Sequence, residues 1–331
     1  MRILFISSTR IGDGILAASL LPAITSHYHL QPSKDEIWVV CGELIAPYYQ
    51  DFPLVNKIIA LTKRPYNLHW LDLWRTVTQS QEKWDMVIDL RNSVMGYCLQ
   101  CRQAKPIKIF QPNRADLNDK THQLDYLFAM FKGSKGALSL PKNLPLYLNP
   151  AIQTQAKKKL SSFPNHFIAF GIGANSTIKI WPIDYFYQLA LQLQQKLNEI
   201  MSDQFNILPI LLLGDKQDGE LAKAFLNLAS KDEQLAIRDL TGQLSLMENA
   251  AIMQHANLFI GNDSGLMHLA AACHIPTLGL FGPTPAMRYR PYGEKCAHIT
   301  TPNPIQDNMK NLTVKMVLEA TMQLYQKNMA D

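Results

Sequence analysis

Residues 257–293 read NLFIGNDSGLMHLAAACHIPTLGLFGPTPAMRYRPYG, and this stretch decides the fold. Leu258 to Ile260 is an apolar strand. Gly261-Asn262-Asp263-Ser264-Gly265 is a sharp polar turn. Leu266 to Cys273 reads as a helix, and Thr277 to Phe281 as a second apolar strand. Together they form a βαβ unit, the building block of parallel sheets. The first turn of its helix exposes N–H groups and the positive end of the helix dipole, which attract phosphate or another anion. Gly261 and Gly265 let the backbone approach a ligand closely. The plainer reading is an N-cap, with Asp263 or Ser264 capping a core helix. The pattern alone leaves both readings open.

Outward from this unit the same rhythm fills the chain. ILFIS is a strand, Gly14 to Ile24 a helix, EIWVVCG a strand, LIAPYYQDF a helix and KIIAL a short strand. LHWLDLWRTVTQSQ has helical periodicity, MVIDL is a strand, residues 111–121 are irregular, and His122 to Lys132 is helical. KGSKGALSLPKNLPLYLNP, with its prolines, reads as an interdomain linker, which sets domains of 1–155 and 156–331. The rhythm then restarts. FIAFGI is a strand, WPIDYFYQLALQLQQKL a helix with Pro182 in its first turn, and ILPILLLG a strand. A helix begins near Asp218, Ala236 to Asp239 is a short strand, and Leu246 to Gln254 a helix. The expected fold is α/β: two Rossmann-like, doubly wound parallel-sheet domains.

Composition agrees. The 331 residues are about twice an ordinary domain, and 47% hydrophobic with 18% charged residues suits a globular protein with a large core. No apolar run reaches transmembrane length, and Met1 to Ser7 reads as a strand rather than a signal peptide. A cytoplasmic protein is the expectation. Residues 1–160 carry 20 Lys and Arg against 12 Asp and Glu, a balance of +8 within a total of +5. Such a half suits an anionic partner, among them a phosphorylated glycolipid or the inner face of the membrane. Nucleic acid is not expected, because no helix-turn-helix, zinc-finger or RNP-like motif is present. A dehydrogenase is not expected either, because no Gly-x-Gly-x-x-Gly follows the first strand. The five cysteines are scattered, and Cys98-Leu-Gln-Cys101 reads as two helix residues rather than a redox or metal pair.

The sequence resembles glycosyltransferase family 9, the bacterial heptosyltransferases of lipopolysaccharide core assembly, in five elements. GNDSGLMHLAAA with IPTLGLFGPT and RPYG is similar to the family's C-terminal signature. MRILFISSTRIGDGILAASLLPAI (1–24) looks like its opening strand, Gly-Asp turn and helix. WDMVIDLRNS (84–93), GIGANSTIKIWP (171–182) and LTGQLSLMENAA (240–251) are similar to three further elements, in the right order. The resemblance implies a GT-B architecture, two such domains facing across a cleft, with the acceptor on the first and the nucleotide sugar on the second. The last helix, Val314 to Lys327, would pack back on the first domain.

The same resemblance distributes roles. By position Asp13 is either an N-cap for a helix starting at Gly14 or a carboxylate beyond the end of a strand, where ligands bind in open α/β sheets. The resemblance makes it the catalytic base. Lys179, otherwise a solvated loop lysine, would place a point charge on the donor diphosphate. Asn175 and Ser176 could hydrogen-bond its oxygens, although Asn175 stands where the family has Ser, and Ile180 where it often has a basic residue. Asp263, Ser264 and Gly265 match the donor-binding turn. His268, one helical turn on, is a phosphate ligand or a core histidine. Asp218 resembles a ribose ligand, and Leu244 and Leu246 line an adenine pocket or the core. Arg10, Arg91 and Asn92 are acceptor-side candidates, since an arginine there can pair with carboxylate or phosphate. No cofactor is expected, and no Asp-x-Asp pair or metal-spaced cluster occurs. Lys179 and a helix dipole would then stabilise the departing charge. The expected activity is inverting, metal-independent transfer of a heptose from ADP-heptose to an inner-core sugar. Alternatives are another nucleotide sugar or acceptor, an epimerase on the same scaffold, or a non-catalytic nucleotide-sugar-binding protein.

Overall fold

A computed structural model describes every residue except 63–68, 80–82, 114, 116–117, 132–137, 162, 165, 202–207, 231, 233–234, 305 and 330–331. The chain divides into two compact units, Met1–Tyr147 and Leu148–Asp331.

The first unit holds a five-stranded sheet of β1 (Arg2–Ile6), β2 (Glu36–Gly42), β3 (Val55–Leu61), β4 (Met86–Asp89) and β5 (Lys108–Phe110), in the order β3-β2-β1-β4-β5. Every pair in it is parallel. The second unit holds β6 (Ile168–Gly171), β7 (Leu208–Leu213), β8 (Leu235–Asp239), β9 (Leu258–Asn262), β10 (Thr277–Phe281) and β11 (Cys296–Thr300), in the order β11-β10-β9-β6-β7-β8, again all parallel. In each sheet the winding starts in the middle, runs to one edge and returns to the other side. The reversal lies between β1 and β4 in the first sheet and between β6 and β9 in the second. There the chains leaving adjacent strands diverge and open a crevice at the carboxyl ends.

The central strands are buried on both faces. Every residue of β1, β4, β6, β9 and β10 is buried, which is why they read as unbroken apolar runs. Two edge strands gave weaker signals. β5 has three residues, and β11 is only half-buried throughout, so neither shows an apolar run. The opening helix is two helices, Ile11–Ala18 and Leu20–His27, with Ser19 between them. The helix expected over LIAPYYQDF is reduced to Ala46–Tyr49. The expected ends at Ser80, Gln81 and Lys132 lie outside the described residues.

The boundary expected at 155 falls inside a helix, Pro150–Leu160. Asn149 accepts a hydrogen bond from Ala151 N, and Pro150 takes the first turn, so Asn-Pro starts a helix here instead of closing a linker. That helix packs on Leu246–Met253 of the second unit, and Lys159 pairs with Glu248 at 2.8 Å. The last helix is Val314–Met329. It belongs to the second unit and packs on Ile183–Met201 and β11, with Val317 and Leu324 in the core. Among the described residues, no helix is long and apolar enough to cross a membrane.

Gly261 has a packing role. It lies within β9, opposite Gly171 of β6 and Gly279 of β10. The Phe259 ring covers the space that a side chain would need. A Cβ on Gly171 would sit 2.5 Å from Phe259 Cζ, and one on Gly261 would sit 2.7 Å from the same atom. Gly261→Ala should therefore strain the sheet by about 1–3 kcal/mol. At this unit size that lowers the melting temperature by roughly 2–4 °C per kcal/mol. Thermal unfolding followed by circular dichroism tests it, and an unchanged midpoint would show that the ring yields without cost.

Candidate active site

The second unit builds its site at the β6–β9 reversal. Beyond β6 the chain runs through Gly173, Asn175 and Ser176 into a 3₁₀ turn, Thr177–Lys179, and on to Trp181. One side chain holds both ends of this loop. Asn262, fully buried, donates from Nδ2 to Ile172 O (2.8 Å) and accepts from Trp181 N at Oδ1 (3.0 Å). Trp181 is itself buried and donates from its indole to Leu312 O at 2.7 Å. With its ends fixed, the loop carries Asn175 exposed and Ser176 and Lys179 half-buried. Asn262 was not among the sequence candidates. Its signal was an amide ending the otherwise apolar strand LFIGN.

Lys179 Nζ donates to Asp263 Oδ2 at 2.6 Å, with the lysine 28% and the aspartate 8% exposed. A carboxylate this buried needs such a partner. Asp263 therefore does not cap the following helix, Gly265–Ala272. Ser264 occupies the cap position but makes no side-chain cap hydrogen bond. The capping reading fails on both residues, and the first N–H groups of this helix have no side-chain cap. Ser264 Oγ is buried without a hydrogen-bond partner, and so is Thr284 Oγ1, which follows β10. Buried hydroxyls are normally satisfied, so this edge offers two donors and a helix N-terminus to an incoming anion. Thr284 was also missed, although it lies in the Gly-Pro-Thr that follows a strand. His268 is buried, at 4% exposure.

Asp218 belongs to the same edge. It ends the 3₁₀ turn Lys216–Asp218 beyond β7, and its Oδ2 accepts from Asp215 N at 2.8 Å. A Cβ on Gly173 would fall 2.0 Å from its carboxyl carbon, so the carboxyl lies flat against the loop beyond β6. Burial pushes its pKa above the usual carboxylate range. Leu244 is half-buried in the turn beyond β8, just before Leu246, which opens the helix Leu246–Met253.

In the first unit the reversal lies between β1 and β4, with Ile6 opposite Asp89. The helix after β1 begins at Ile11, with Arg10 at its cap position. Asp13 is therefore in the first turn and is not the cap; the helix starts three residues ahead of Gly14, and the positive end of its dipole favours an acid there. Beyond β4, Asp89 is fully buried and accepts from Arg91 N (3.0 Å), Ser93 N (2.7 Å), Ser93 Oγ (2.6 Å) and Gln111 Nε2 (3.1 Å). It shapes the turn. Asn92 takes a left-handed conformation (φ 52°) there and donates from Nδ2 to Pro112 O at 3.0 Å. The turn leaves the Arg91 guanidinium over the Trp70 ring, 5.2 Å from its centroid, with Nη1 buried and unpartnered. Cys98 and Cys101 lie in and at the end of the helix Met95–Gln100, both exposed and both free. Among the described residues, no group of three or more His, Cys, Asp or Glu could hold a metal ion.

Each unit thus gathers its own candidates at the carboxyl ends of its strands, β1 and β4 in the first and β6 to β10 in the second. The family model for glycosyltransferase family 9 (heptosyltransferase) matches residues 70–317. The chain is 24% identical over 345 residues to lipooligosaccharide heptosyltransferase 2 of Campylobacter jejuni, covering 98% of this chain and 99% of that one. It is 32% identical over 130 residues to lipopolysaccharide heptosyltransferase 3 of Escherichia coli, covering 39% of this chain and 35% of that one. Among solved structures, E. coli ADP-heptose LPS heptosyltransferase II has a TM-score of 0.76 at 21% identity over 99% of each chain. A family 9 glycosyl transferase from Veillonella parvula has a TM-score of 0.79 at 20% identity, covering 98% of this chain and 97% of that one. These structures share the fold of this chain, the GT-B pairing of two parallel-sheet α/β domains. With the family model spanning most of its length, the chain belongs to glycosyltransferase family 9, the heptosyltransferases.

Proposed function

We propose that this glycosyltransferase moves a heptose from ADP-heptose to an inner-core sugar of lipopolysaccharide, with inversion and without a metal ion. The observation that carries the reading is the Lys179–Asp263 ion pair beside the uncapped N-terminus of the helix Gly265–Ala272. An ammonium and a row of free N–H groups at one edge suit a departing diphosphate. Relatives that match nearly the whole chain are named heptosyltransferases, and one neighbouring structure is of E. coli heptosyltransferase WaaC with ADP.

In this mechanism the second unit holds the donor. Lys179, the hydroxyls of Ser176 and Ser264, the Asn175 amide and the N–H groups from Gly265 on take the diphosphate. His268 backs that turn. Asp218 accepts from the ribose hydroxyls, and Leu244 flanks the base. Asp263 keeps Lys179 in place and receives a hydroxyl of the transferred sugar. The first unit holds the acceptor: Arg10 and Arg91 meet its anionic groups, and Asn92 shapes the turn that presents Arg91. Asp13 accepts the proton of the attacking hydroxyl as the hydroxyl oxygen bonds to the anomeric carbon. The bond to the diphosphate breaks on the opposite face, and the electron pair leaves on ADP. The enzyme works in the cytoplasm and meets its glycolipid acceptor at the inner face of the membrane, for which the basic first half is suited.

Asp13→Ala should lower kcat by roughly 10²–10⁴-fold while leaving ADP affinity within about twofold. Single-turnover kinetics beside calorimetry check it, and retained turnover with lost ADP binding would sink the assignment. Lys179→Ala should weaken ADP binding by roughly tenfold or more, the scale of a charge-assisted hydrogen bond. Calorimetry with ADP, UDP and GDP in chelator should show selective ADP binding. Preference for UDP or GDP would replace the heptose donor. Activity that vanished in chelator and returned with magnesium would end the metal-independent reading.

A further inference from the structure

We infer that Tyr49 is a positioning residue for transfer, because its buried hydroxyl locks the turn that carries Asp13. The inference rests on Asp13 being the base. The segment from Gly42 to Tyr49, which leaves β2, is pressed against the back of the turn that leaves β1. Two glycines allow this. A Cβ on Gly42 would sit 2.7 Å from Thr9 O and 2.8 Å from Thr9 Cα, and one on Gly14 would sit 2.6 Å from Ile45 Cγ1. At this close approach the Tyr49 hydroxyl reaches both ends of the turn. It lies 2.7 Å from Ser7 Oγ at the exit of β1 and 2.7 Å from Gly14 O, the residue after Asp13.

The proton directions follow from chemistry. A phenol has one proton, and a carbonyl can only accept. Tyr49 therefore donates to Gly14 O, and Ser7 donates to Tyr49. Burial pushes the Tyr49 hydroxyl far above its ordinary pKa, so it stays a neutral donor at every working pH. Its ring is wedged between Phe5 and Phe52, at centroid distances of 6.4 and 5.8 Å, which fixes where the hydroxyl points. Within the turn, Arg10 N donates to Ser8 Oγ (3.1 Å) and Gly14 N to Arg10 O (2.9 Å). These bonds shape the turn but do not tie it to the rest of the unit. The Tyr49 clamp ties it, together with the backbone bonds from Ser7 N to Val40 O (2.8 Å) and from Gly42 N to Ser8 O (3.4 Å) and the Gly42–Thr9 packing.

A base must lie within a few tenths of an ångström of its proton, and small displacements cost large factors in rate. Tyr49→Phe keeps the ring and removes the clamp. In the full-length protein it should lower kcat roughly tenfold and leave the Kd for ADP unchanged. It should also speed amide exchange of residues 8–14 without changing exchange in β2 or β3. The kinetic probe is ADP-heptose with a deacylated inner-core acceptor. A double-mutant cycle with Asp13→Asn gives the readout that a merely structural tyrosine would not move: the Tyr49 effect should vanish once Asp13 is neutral. Wild-type kcat in Tyr49→Phe, or an equal loss in both backgrounds, overturns the inference. Asp13→Asn with near-normal kcat would overturn the base reading itself, and the exchange data would then show whether the clamp holds the turn for another purpose.

Discussion

The second unit depends on one buried amide. An all-parallel sheet that reverses its winding leaves two loops diverging at the carboxyl ends of β6 and β9, and no backbone ladder ties them together. Asn262 supplies the tie. Its amide donates to Ile172 O, just beyond β6, and accepts from Trp181 N, two residues before the helix Ile183–Met201, with the side chain out of water. An amide can do both at once, whereas a carboxylate can only accept and an ammonium only donate. Lys179 is then presented from a loop whose two ends are fixed, and Asp263, the residue after Asn262, lies where the lysine can reach it.

That pairing decides the electrostatics of the edge. Asp263 is buried, and Lys179 compensates its charge. With Asp263 committed to Lys179 and Ser264 unbonded, the helix Gly265–Ala272 keeps its first N–H groups uncapped. One interaction therefore holds the ammonium in place and leaves the helix terminus open. An ordinary core helix would show the opposite arrangement, with the acid on its own N–H groups.

Much of this was legible in the sequence, and the misses have physical causes. Central parallel strands are buried on both faces, so their apolar runs stand out, and β9, β10 and the helix between them fell within a residue or two of their expected bounds. β11 at the sheet edge carries no such pattern, since CAHIT is half-buried along its length. Asn149-Pro150 was ambiguous because the same pair breaks one element and starts another. Asp13 was placed correctly beyond a strand, but the helix began earlier than Gly14, which removed its capping alternative. Asn262, Asp89 and Tyr49 were not visible as organising residues, because each acts through at least one partner 22 to 90 residues away in the chain. The packing role of Gly261 was hidden for a related reason: what excludes a side chain there is the ring of Phe259, together with the Gly171 carbonyl.

The two reversals are braced by different chemistry, and the difference fits the proposed division of labour. In the second unit the neutral tie of Asn262 is joined by an ion pair, in which Asp263 holds the Lys179 ammonium at the edge proposed to meet a diphosphate. In the first unit the turn carrying Asp13 is braced by neutral groups, a phenol on a backbone carbonyl and a serine on the phenol. A cation in that place would stabilise the carboxylate and weaken it as a base. A phenol fixes the backbone without adding charge beside the acid, and once buried it does not titrate in competition with it. The anchor that the phenol provides acts on the main chain, at Gly14 O.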